Sequence, residues 1–89
     1  MASDLGMRRR RALWRATHRG SKEMDFLLGR FAEQTLDGMN AAEITVFERL
    51  IDTPDPAIES CVLEGCSLGE RDLDELIDRL RRFHGLTPG

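Results

Sequence analysis

Long apolar runs are missing from this sequence. None approaches the roughly eighteen residues that a membrane-crossing helix needs, and no apolar segment with a small-residue cleavage site opens the chain. The protein is therefore expected to stay in the compartment where it is made, without membrane insertion. Cysteine is scarce: Cys61 and Cys66 stand alone, in the order Cys-Val-Leu-Glu-Gly-Cys. That spacing is neither a Cys-x-x-Cys redox motif nor half of a four-ligand zinc site, so two reduced thiols in a cytosol are expected. Histidine is equally scarce, and neither His18 nor His84 has a histidine or cysteine three or four residues away. A metal centre would have at most Cys61, Cys66 and His84, one ligand short of a closed site. The glycines from Gly65 to Gly85 form no phosphate-cradling loop, and no nucleophile stands beside a base. Neither metal nor catalysis of its own is expected. With 89 residues the chain has room for one domain around one small core, which favours a binding module over a multi-step enzyme.

What the chain has in plenty is charge, unevenly placed. The net charge of −3 divides into a basic head, with Arg8, Arg9, Arg10, Arg11, Arg15, Arg19 and Lys22 against Asp4 alone, and an acidic remainder. Such a head suits nucleic acid, a membrane surface or an acidic protein partner. Aromatics hardly interleave with these arginines and the acidic remainder repels phosphate, which weighs against nucleic acid.

Strand signals are absent as well, and the apolar periodicity is helical throughout. It predicts an all-α bundle of five short helices over residues 7–85, between a flexible N-terminus at 1–6 and a flexible tail at 86–89. The first helix spans about 7–18, with Leu13 and Trp14 as its main apolar residues, and ends at Gly20. The second starts at Ser21 or Lys22 and carries Met24, Leu27, Leu28 and Phe31 on one face to Thr35. Asn40 followed by Glu43 reads as a capping box for a third helix with Ile44, Phe47, Leu50 and Ile51. Asp55 reads as the cap of a fourth, with Pro56 at its first position, Ile58, Cys61 and Val62 inward, and Gly65 as its stop. Ser67 and Glu70 read as a second capping box, opening a fifth helix with Leu73, Leu76, Ile77, Leu80 and Phe83 inward.

The stretch His18-Arg19-Gly20-Ser21-Lys22-Glu23-Met24-Asp25 has two readings. In one, Gly20 is a helix terminator while Arg19 and Glu23 complement the negative and positive ends of the flanking helices. In the other, an outward glutamate beside a basic residue and a glycine that admits another backbone makes a small polar docking edge.

Arg19-Gly20-Ser21-Lys22-Glu23 resembles the RGxxE motif of the succinate dehydrogenase assembly factors, called SdhE in bacteria and related to the mitochondrial assembly factor two. The surroundings make the likeness specific. The motif follows an arginine-rich helix and continues through Met24-Asp25 into Leu28-Gly29-Arg30-Phe31-Ala32. Phe47-Glu48-Arg49-Leu50-Ile51-Asp52, Asp55-Pro56 and a short helix closing at Gly65 come after it. The likeness covers residues 8–80 and is strongest to the alphaproteobacterial branch. One departure is visible: Cys61 stands where the family commonly has a tryptophan.

The resemblance implies a small five-helix protein that binds the flavoprotein subunit of succinate dehydrogenase, and in some bacteria of fumarate reductase. It promotes covalent attachment of FAD to that subunit. The FAD then belongs to the partner and is not stably held here; the sequence has no dinucleotide fingerprint. By the same resemblance Arg19, Gly20 and Glu23 form the contact surface, with Asp25, His18 and Arg15 beside them, in a monomer of the bacterial cytoplasm. A bulky residue at Gly20 should then hurt binding more than folding. Two rival readings stay open: an antitoxin or regulator of a membrane-associated toxin, and a small nucleic-acid-binding domain using the basic head.

Overall fold

The computed structural model describes residues 2–86. Helix α1 (Ala2–Thr17) is followed by α2 (Lys22–Thr35), a 3-10 turn at Leu36–Gly38, α3 (Ala41–Ile51), α4 (Asp55–Glu64) and α5 (Arg71–Phe83). The described residues contain no strand, and the all-α, five-helix reading holds. None of these helices is long and apolar enough to cross a membrane.

Local chemistry sets most boundaries. Ser21, extended at φ −135° and ψ 149°, accepts the Met24 N–H and so opens α2. Asn40 and Glu43 form the reciprocal capping box, each side chain taking the other's backbone N–H at 2.9 Å. Gly65, left-handed at φ 80°, closes α4 by donating its N–H to the Cys61 carbonyl. The helices converge on one core in which Leu28, Phe31, Ile44, Phe47, Leu50, Ile58, Val62 and Leu80 are essentially inaccessible to solvent. Each such side chain contributes about 1.5–3 kcal/mol of transfer free energy.

Five local expectations are corrected. The first helix begins at Ala2, so residues 2–6, expected to be flexible, are helical. Leu5 accounts for this, since it packs on the core seven residues before Ala12, on the same face. Within α1, Ala12 and Ala16 are buried, Leu13 is half-buried and Trp14 is 61% exposed. Small residues let α1 lie close against α2, where Gly29 faces Thr17 and a Cβ at Gly29 would come within 3.0 Å of the threonine methyl. Asp55 is the first residue of α4 and not its cap, because its carboxylate is committed to Arg19. Ser67 and Glu70 form no capping box: the Ser67 hydroxyl donates to Asp74, and Glu70 lies against Arg49. Phe83, placed inward by its spacing, is 41% exposed and meets Phe31 edge-on at 5.5 Å from the last turn of α5. The 3-10 turn, unread in the sequence, buries Leu36 just before the buried Met39. The expected tail lies outside the described residues from position 87 onward.

Because the Asn40–Glu43 box satisfies two backbone donors with one pair of side chains, Asn40→Ala should lower stability by about 1 kcal/mol. That corresponds to a melting temperature lower by roughly 4–8 °C for a domain of this size. Circular dichroism melts of the two proteins measure it.

Candidate functional site

The turn between α1 and α2 is built around Gly20. Its φ of +104° lies where L side chains rarely go, and an added Cβ would meet nothing within 4 Å. The backbone therefore requires glycine while the space above it is open. The turn is locked beneath by Asp25, whose carboxylate accepts the Arg19 N–H at 2.5 Å.

Arg19 itself points inward. Its side chain is 11% exposed and spans to the corner between α3 and α4. There Nε donates to the Asp55 carboxylate at 2.8 Å, one terminal nitrogen to the Ile51 carbonyl at 2.7 Å, and the other to the Thr53 carbonyl at 3.1 Å. That corner needs an outside donor. Ile51 is the last residue of α3, where carbonyls lack helical partners, and Pro54 and Pro56 contribute no N–H. Arg15, one turn earlier on α1, reaches the same corner and pairs with Asp52 at 2.5 Å.

The result is an open depression of about 470 Å³ lined by Arg19 to Met24, Asp55, Pro56 and Glu59. Its floor is the Arg19–Asp55 pair and its rim carries Gly20, Glu23 and Glu59. Glu59 was not singled out from the sequence, although Asp55 and Glu59 stand four apart on α4 and so share a face. Its carboxyl is held above the ordinary glutamate range, first by a hydrogen bond to Glu23 that favours the protonated form, then by lost solvation and the charges of Glu23 and Asp55. A somewhat larger depression, about 620 Å³, lies on the outer face of α5, lined wholly by charged residues, Arg71, Asp74, Glu75, Asp78, Arg79 and Arg82. It is a solvated charge ladder, with Arg82 paired to Asp78 one turn back.

The six residues singled out from the sequence thus divide. Gly20 is open to an approaching molecule and Glu23 is exposed beside it. Arg19 and Asp25 hold the turn from within. His18 lies flat on the exposed Trp14, ring centroids 4.2 Å apart, and its Nδ1–H donates to the Trp14 carbonyl at 2.8 Å, leaving Nε2 for solvent. Arg15 is half-buried against Asp52. Among the described residues no three histidine, cysteine or acidic side chains are grouped so as to hold a metal ion.

A small helical protein that presents a stiffened polar edge, centred on a glycine turn, is the class this fold and site define. The chain belongs to the family described as the flavinator of succinate dehydrogenase, which it matches over residues 10–84. Among curated relatives, the FAD assembly factor SdhE of Acetobacter pasteurianus is 36% identical over 77 residues, which cover 86% of this chain and 71% of that protein. The mitochondrial succinate dehydrogenase assembly factor 2 of Debaryomyces hansenii is 35% identical over 52 residues, 58% of this chain and 37% of the relative. That of Scheffersomyces stipitis is 39% identical over 51 residues, 57% of this chain and 34% of the relative. The match therefore spans little more than a third of either yeast protein's length. No solved structure gives a significant match.

Two outcomes follow from this geometry. Arg19→Ala should lose about 2–4 kcal/mol of folding stability, because several charge-assisted bonds go and the α3–α4 corner is left short of donors. Arg19→Lys should recover only part of this, since an ammonium lacks the planar fork; urea unfolding midpoints measure both. Glu59→Gln should stabilise the protein near neutral pH. A carboxyl with a raised folded-state pKa holds its proton more tightly in the native state, so its ionised form opposes folding once the pH rises past the ordinary range of about 4.3. The advantage of the glutamine variant should vanish at about pH 3.5, where both states are protonated.

Proposed function

We propose that this chain is an assembly factor that binds the flavoprotein subunit of succinate dehydrogenase and promotes covalent attachment of its FAD, without catalysing the step itself. The family match and the names of the relatives support the partner and the process. The observation that carries the docking edge is Gly20: a backbone at φ +104° with nothing within 4 Å above it, flanked by the exposed Glu23. A partner's main chain can approach there closely, and Glu23 with Glu59 offers paired carboxylates to a cationic group on the partner. Arg19, Asp25 and Arg15 then act as positioning residues behind the edge. His18, stacked on Trp14, extends it along α1.

In this reading the flavin stays with the partner: the depression offers a pyrophosphate no net cationic cradle, its Arg19 being paired with Asp55 and its Lys22 standing among Glu23 and Glu59. A binding protein of this kind raises flavinylation only as far as it binds the competent conformer of the flavoprotein better than the others. A fumarate reductase flavoprotein is the second partner this reading admits. The site of action is the bacterial cytoplasm, and the acting form is a monomer.

Because Gly20 sits at positive φ, any residue introduced there strains the fold as well as blocking the edge. Glu23→Ala separates the two effects. It should leave stability within about 0.5 kcal/mol of wild type, while in-gel flavin fluorescence of the captured subunit falls about tenfold, the equivalent of one charge-assisted bond. Capture of no flavoprotein from the native host by the wild-type chain would overturn the proposed partner. Unchanged flavin incorporation with Glu23→Ala would overturn the edge alone.

A further inference from the structure

Helix α4 ends in a left-handed glycine, and such ends bring two positions together. The N–H of Gly65 returns to the Cys61 carbonyl at 3.0 Å, and the residue after the glycine folds back over the last turn. The contact so formed is frequently between two apolar side chains. Here both are cysteines. Their sulfurs lie 2.9 Å apart, Cys61 buried under the helix end and Cys66 exposed in the loop leading to α5. A disulfide needs about 2.05 Å between sulfurs, so a shift of less than about 1 Å closes the bond. Arg81 stiffens the same corner, donating to the Val62 carbonyl at 2.6 Å and filling the space where a Gly65 side chain would stand.

We propose that Cys61 and Cys66 are an oxidation site: a dithiol that hydroperoxides convert to an intrachain disulfide locking the C-terminal end of α4. The chemistry runs in two steps. The exposed Cys66, as its thiolate, attacks one oxygen of the hydroperoxide; an S–O bond forms, the O–O bond breaks, and the other oxygen leaves as an alcohol, or as water from hydrogen peroxide itself, once it takes up a proton. The Cys61 sulfur then attacks the Cys66 sulfenic acid; the S–S bond forms and the S–O bond breaks. The departing hydroxide takes the Cys61 proton and leaves as water. Two thiols lose two electrons and the hydroperoxide gains them. The order of roles is set by environment. Burial, then the hydrogen bond to Cys66, pushes the Cys61 thiol up to about 12, so it is poorly suited to meet the oxidant first and is held back as the resolving partner. This inference stands on α4 and its loop alone and does not depend on the docking role.

The test uses the reduced full-length chain treated with hydrogen peroxide, then unfolded and alkylated for intact mass. The expected product is lighter by two hydrogens, carries no alkyl groups, reverts with dithiothreitol, and melts on the order of 5–10 °C higher than the reduced form. Under the same exposure Cys66→Ser should leave Cys61 reduced, and Cys61→Ala should drive Cys66 past sulfenic acid or into crosslinked dimers. Should Cys61→Ala fail to fold, Cys66→Ser, at an exposed position, still separates the roles. Accumulation of sulfinic or sulfonic acid at Cys66 in the wild-type chain would overturn the proposal. So would dimers linked through Cys66 with Cys61 still alkylatable.

Discussion

The guanidinium of Arg19 is the tie on which the arrangement of the two inter-helix corners depends. It bridges 36 residues of sequence to reach Asp55 and, on the way, takes the Ile51 carbonyl that ends α3 and the Thr53 carbonyl just beyond it. The need arises from Thr53-Pro54-Asp55-Pro56. Two prolines start α4 sharply but remove two N–H groups at the place where α3 runs out of internal donors. A planar group with five donors answers several of these demands at once, and no other side chain presents that fork. The α1–α2 turn is thereby fixed relative to α4, and Gly20 and Glu59 come to border one depression.

The other arginines of α1 extend the same principle. Arg8 pairs with Glu48 and also reaches Thr45 on α3, holding the glutamate carboxyl below its ordinary range, chiefly through that hydrogen bond. Arg9 donates to the Leu36 and Met39 carbonyls, which explains how a 3-10 turn without a side-chain cap is held in place. The α1 interface thus combines two buried alanines with a row of directed cationic bonds. The charge asymmetry of the sequence acquires an internal cause: much of the basic head is the complement of the acidic remainder, folded onto it. Arg10 and Arg11 face outward.

Features governed by a few neighbouring residues were legible in the sequence. The Ser21 cap, the Asn40–Glu43 box, the Gly65 stop and the inward stripes of α2 and α3 all rest on spacings of three or four. The failures share a different cause. Asp55 has the right type and place for a helix cap, and Ser67 with Glu70 has the right spacing for a box, yet each finds a stronger partner elsewhere: Asp55 at Arg19, Ser67 at Asp74, Glu70 at Arg49. Trp14 looked like core because it is large and apolar, whereas close helix packing selected Ala12 and Ala16 on the neighbouring face. At the candidate site, the family likeness pointed to the α1–α2 turn. The inward turn of Arg19 depends on an acid 36 positions away and has no signature in local spacing.

An edge that must discriminate between conformers of a partner gains from being stiff before it binds, since ordering a loose turn on contact would offset part of the binding free energy. Three of the residues singled out at the turn, Arg15, Arg19 and Asp25, are engaged in holding it, and only Gly20 and Glu23 face outward beside the depression. A surface of this kind has few contacts to offer and little freedom to adjust them. In the proposed docking role its differential affinity rests on fit, with a backbone that approaches over Gly20 and a cation that meets Glu23 and Glu59. A hydrogen bond to Glu23, then lost solvation and the charges of Glu23 and Asp55, hold the Glu59 carboxyl above its ordinary range in the free protein, and in the proposed role a cation between the two would favour their ionised forms. In the proposed role, a glycine turn, a buried arginine and an acid pair suit transient docking against a basic feature of the partner.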